Sequence, residues 1–85
     1  MGRAGKALKQ VLETYGISQN RLAVAMGVGR STVHYWVSET RDPLADSIPE
    51  IVEALAKLNQ SAARDFLLLY LGRTVEYLDE QDRSE

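Results

Sequence analysis

Three features of this 85-residue chain predict an all-α fold of five short helices. Apolar residues recur at helical spacing, as at Ala4, Leu8, Val11, Leu12 and Tyr15. Helix-starting serines (Ser18, Ser47, Ser61) and helix-stopping glycines (Gly16, Gly27, Gly72) cut that pattern into segments. The stretch from Ser18 to Ser38, SQNRLAVAMGVGRSTVHYWVS, holds two of the segments joined by a turn only a few residues long.

The first helix is expected over Arg3 to Tyr15, with Lys6, Lys9, Gln10 and Glu13 outward. Gly16 ends it as a residue free to adopt positive φ, and Ile17 packs the corner. Ser18 is an N-cap type, its hydroxyl placed to accept from the first turn of a second helix, Gln19 to Met26. Leu22, Ala23 and Met26 form the inner face of that helix, and Gly27 breaks it. A third helix follows from about Arg30 to Val37, with Gly29 as N-cap and Val28, Val33 and Trp36 facing the core. Ala23 is small where two steeply crossing helices must bring their backbones together.

Counted from Gln19, the apolar residues Leu22, Met26, Val28, Val33 and Trp36 fall at places four, eight, ten, fifteen and eighteen. The small Ala23 is at place five and Gly27 at place nine. These seven positions together resemble a helix-turn-helix DNA-binding unit, and the Ser18-Gln19 start, Trp36 and the later Pro43 resemble most closely the Cro and phage-repressor class of bacterial regulators (XRE family). The resemblance covers roughly Ala4 to Leu58. It implies a five-helix, lambda-repressor-like domain whose second and third helices carry the motif, and double-stranded DNA as the partner.

A recognition helix enters the major groove amino-terminus first. The outward face of the third helix carries Gly29, Arg30, Ser31 and His34, the expected base-contacting residues. Arg30 leads, because a guanidinium fork matches the O6 and N7 acceptors of guanine. Ser31 discriminates less sharply, Gly29 only permits close approach, and His34 is open to a base or a phosphate. Phosphate contacts are expected from Thr32, Tyr35, Arg41 and the start of the second helix, Gln19 and Asn20. Two places depart from the class. An arginine and a glutamate often pair between the first and third helices, where this chain has Leu12 and Val37. Both have become apolar together, an exchange that can be neutral or stabilising. The loop after the third helix has Ser38-Glu39 where Asn-Gly is frequent.

Beyond a loop marked by Pro43, Ser47-x-x-Glu50 has the form of a capping box opening a fourth helix to Leu58. Its inward residues are Ile48, Ile51, Val52, Leu55 and Leu58. Asn59-Gln60 is expected as a link, and Ser61 as the cap of a fifth helix from Ala62 to Leu71. That helix is too apolar for one buried face. Ala63, Phe66, Leu67 and Tyr70 make one stripe, leaving Leu68, Leu69 and Leu71 in surplus. Together with Val75 and Leu78 these make the expected interface of a homodimer. Residues 1–72 are expected to form the domain and 73–85 an acidic tail, loose at its end, that offers a site for a protein partner.

The formal net charge of −2 hides a polarity. Six basic residues stand against two acidic ones up to Arg41, and four against ten thereafter. Such a distribution turns the basic half toward a polyanion. There is no cysteine, no secretory leader in MGRAGKALKQ and no apolar run near membrane length, so a cytoplasmic protein is expected. No cofactor, metal or catalysis is expected. His34 stands alone, and neither a nucleophile–base pair nor a phosphate-cradling glycine loop is present. No separate effector domain is expected. A small repressor-like transcriptional regulator is therefore the leading reading. The alternatives are a protein-interaction module that kept the fold without DNA binding, and the antitoxin of a toxin–antitoxin pair.

Overall fold

The computed structural model describes residues 3–38 and 41–83, and side chains as far as residue 72. The described residues form five helices and no strand: α1 (Arg3–Tyr15), α2 (Gln19–Met26), α3 (Arg30–Val37), α4 (Ser47–Leu58) and α5 (Gln60–Arg83). α5 packs on α4 and α1, α2 packs on α3 and α4, and α1 closes against α3. The space they enclose is wholly apolar. Leu8, Val11, Leu22, Val33, Ile51, Leu55 and Phe66 are fully buried, and among the described residues no buried position is polar or charged. Phe66 stacks nearly parallel on Tyr70, with ring centroids 6.0 Å apart.

Local chemistry sets the first three helices as the sequence predicts. Gly16 at φ 65° ends α1, and Ile17 N–H reaches back to the Leu12 carbonyl at 2.9 Å. Ser18 Oγ accepts from Arg21 N–H at 3.0 Å and caps α2. Gly27 at φ 74° ends α2, with its own N–H on the Val24 carbonyl and that of Val28 on the Ala23 carbonyl. Both ends are Schellman turns, in which an apolar residue after the glycine covers one inside the helix. At α1 that pair is Ile17 and Leu12, and both are buried.

At α2 the inner member is Ala23, whose methyl is too small to cover its partner. Val28, expected in the core, is therefore 36% exposed. Met26 is only half-buried, packed against the edge of the cluster.

Two further expectations are corrected. The Ser47–Glu50 box does not cap α4: Asp46 holds the cap place with helical φ and ψ and makes no side-chain capping bond. Backbone carbonyls do that work instead, Leu44 accepting from Ser47 N–H at 2.8 Å and Ala45 from Ile48 N–H at 3.2 Å. α5 starts at Gln60, and its cap is Asn59 where Ser61 is expected. Asn59 is extended, and its Oδ1 accepts from Ser61 N–H at 2.9 Å and Ala62 N–H at 3.3 Å. One residue thus ends α4 and caps α5. Nor does the helix stop at Gly72; its backbone runs on to Arg83. Within α4, Ile51 and Leu55 are fully buried and Ile48, Val52 and Leu58 half-buried, as the stripe requires.

Candidate nucleic-acid interface

α3 presents two faces. Val33, Trp36 and Val37 are buried, which turns Arg30, Ser31 and His34 to solvent together with the capping residue Gly29. Gly29 is extended, at φ −71° and ψ 148°, and brings no side-chain cap to the first turn. The leading end of α3 is thus bare backbone followed by a guanidinium, a form suited to close approach against a groove floor.

Around this face the structure joins residues that sequence spacing alone leaves apart. Gln19, first residue of α2, places Oε1 3.3 Å from Nδ1 of His34. With an amide oxygen opposite, Nδ1 donates, and Nε2 is left for another partner. The His34 and Tyr35 rings lie 6.5 Å apart, tilted at 52°. The guanidinium carbon of Arg41 sits 5.3 Å from the centroid of the Tyr35 ring. The backbone joins them as well, Arg41 N–H donating to the Tyr35 carbonyl at 3.2 Å. Gln19, His34, Tyr35 and Arg41 form one connected row. Asn20 is exposed on α2, and Thr32 is half-buried beside Tyr35, lining a groove with Arg41 and Leu44. Neither the Gln19–His34 pair nor the Arg41–Tyr35 pair is visible in the sequence, because each depends on the angle between two elements. The Gly27 turn is the only local hint, since it fixes how α2 approaches α3.

Behind the face lies the joint between α1 and α3. Leu12 and Val37, the apolar residues standing where the class often has an ion pair, are 5% and 7% exposed within a single core and border one groove together with Lys9, Glu13 and Gln19. Gly5 is the second element of that joint. A Cβ added there would lie 2.5 Å from the carbonyl oxygen of Trp36, so α1 meets the end of α3 backbone to backbone. On the far side of α1, the Tyr15 hydroxyl donates to the Asp65 carboxylate of α5. That bond, with lesser help from burial and from the nearby negative charge, raises the phenol above its usual value of 10.0.

A family model described as helix-turn-helix, of the Cro and phage-repressor (XRE) type, matches residues 8–57, more than half of the chain. The chain belongs to that family. Five helices with the motif at α2 and α3 agree with its lambda-repressor-like fold. XRE-type helix-turn-helix proteins are DNA-binding regulators and typically not enzymes. No curated protein and no solved structure matches the chain. Among the described residues no helix is long and apolar enough to cross a membrane, and no cluster of His, Cys, Asp or Glu is arranged to hold a metal ion.

Proposed function

We propose that this helix-turn-helix protein binds specific sequences of double-stranded DNA and regulates transcription as a small repressor, with α3 in the major groove. The observation that carries the reading is the division of α3, whose apolar residues are consumed by the core while Arg30, Ser31 and His34 stand clear. Arg30 reads guanine, Ser31 and His34 add contacts to neighbouring bases, and Gly29 lets the backbone approach. Gln19, Asn20, Thr32 and Arg41 hold the flanking phosphates, and Tyr35 lies among them. The basic excess up to Arg41 favours approach of this side to DNA, with the acidic half turned away.

The protein acts as a two-fold dimer in this reading. Leu68, Leu69 and Leu71 leave an apolar strip open on α5, and two recognition helices about 34 Å apart would read successive turns of one groove. Val75 and Leu78, the other expected interface residues, have side chains outside the described residues. Occupancy of a promoter is then sufficient for repression.

Selection of bound sequences from a random duplex pool tests the reading directly. A recurrent two-fold motif is expected. On that site Arg30→Ala should cost roughly 1–3 kcal/mol, with a smaller loss on random DNA. Equal losses on both would make Arg30 a phosphate contact. Absence of any salt-dependent DNA binding would favour a protein-interaction module on the same fold.

A further inference from the structure

Tyr35 and Arg41 are joined in a way that gives Tyr35 a part of its own. The guanidinium carbon lies 5.3 Å from the ring centroid, within cation–π range. Arg41 and Ser38 both donate to one acceptor, the Tyr35 carbonyl. It takes Arg41 N–H at 3.2 Å and the Ser38 hydroxyl at 3.3 Å. Among the described residues no carboxylate lies within ion-pairing distance of Arg41. Tyr35 is itself 41% exposed, on the side of α3 opposite the core.

We infer that Tyr35 is a positioning residue, whose carbonyl tethers the Arg41 backbone and whose ring holds the Arg41 side chain beside α3 so that its guanidinium meets a phosphate at the rim of the groove. The inference rests on the DNA-binding reading above and deepens it. A long, free arginine loses rotamer freedom when it takes up one phosphate, and that loss weakens each contact. An aromatic face that already restricts the guanidinium removes part of it before DNA arrives. The ring serves this purpose whether or not it carries a hydroxyl, so the stacked face and not the Tyr35 hydroxyl is what DNA affinity depends on.

The test is a double-variant cycle read on a random-sequence duplex at several salt concentrations, with thermal unfolding as the check on folding. Arg41→Ala should lower the slope of log affinity against log salt by about one unit. Tyr35→Leu should move the slope in the same direction, and Tyr35→Leu with Arg41→Ala should be no weaker than Arg41→Ala alone. Tyr35→Phe should keep the wild-type slope and an affinity within about twofold of wild type, the signature of a stacked ring. Should Tyr35→Leu fail to fold, Tyr35→Met takes its place in the cycle. Additive losses from the two sites would overturn the inference, and so would a Tyr35→Phe variant as weak as Tyr35→Leu, which would assign the contact to the hydroxyl. A wild-type protein without salt-dependent binding would instead defeat the DNA-binding reading itself.

Discussion

At the scale of single residues, the joint between α1 and α3 shows what an apolar exchange does to a place where the family often keeps an ion pair. Leu12 and Val37 lie in one buried cluster, so neither side chain can leave without opening a void or exposing a charge to an apolar wall. Leu12→Ala should lower unfolding free energy by about 2–5 kcal/mol in urea titration. Val37→Glu alone should be severe, because it buries a carboxylate with no partner. Adding Leu12→Arg supplies one, and the pair should be less harmful than the two single losses added together. Strict additivity would mean that the two positions do not face each other. Gly5, in the same joint, is there for space and not for turn geometry: its Cβ would meet the Trp36 carbonyl, whatever its φ. Nothing in the sequence warns of that, since a glycine inside a helical stripe looks like any other small residue. Leu12 and Val37 are legible because the motif's spacing assigns both of them a place.

Among the elements, helix ends that depend on the backbone of one residue are legible and those that depend on competition are not. Gly16 and Gly27 hold positive φ, which other residues adopt only with strain, and Ser18 has no rival as a cap. Asn59 and Ser61 compete for the start of α5, and Asn59 wins because its amide oxygen meets two N–H groups at once. Gly72 has no positive φ, and a Cβ added to it would meet no atom within 4 Å, so nothing obliges the helix to stop there. Gly72→Ala should then stabilise the protein by about 0.5–1 kcal/mol, the cost of glycine inside a helix. A destabilised variant would place a helix stop at Gly72 after all. The Tyr15–Asp65 bond locks α1 to α5 and sets a second expectation, this time in pH. Its phenol is raised in the folded state, chiefly by that hydrogen bond, so its contribution is complete below pH 10.0 and is lost as pH climbs through the raised value. Tyr15→Phe should therefore be less stable than wild type at about pH 8, and the gap should narrow once the pH passes 10.0. A gap that holds constant across that range would show that the bond adds nothing.

For the whole molecule the question is what covers α5. Of its inner stripe, Ala63 and Phe66 are buried and Tyr70 packs against the cluster, while Leu67 is half-buried at its side. Leu68 is 53% exposed and Leu69 and Leu71 are each 40% exposed, the one place among the described residues where three large apolar side chains within four positions face solvent. A tail folding back from Gly72 would cover them within one chain. The continuous helix from Gln60 to Arg83 removes that option, because a straight helix of 24 residues, about 36 Å long, carries its second half away from its first. It also puts residues 68, 71, 75 and 78, spaced three, four and three apart, on one stripe of one rod. A second copy of the same stripe is the cover that two-fold symmetry supplies without a further partner. Each leucine taken fully from water would contribute up to roughly 1.5–3 kcal/mol, less what its own chain already covers. Sedimentation of the whole chain at micromolar concentration should show a dimer. Leu68→Glu or Leu71→Glu should split it into monomers that keep their helical circular dichroism. Those monomers should bind a two-fold site far more weakly than wild type and a single half-site about as well, since the dimer alone sets the spacing of the two α3 helices. A wild-type chain that sediments as a monomer both free and on DNA would end the dimer proposal and return the strip on α5 to some other partner.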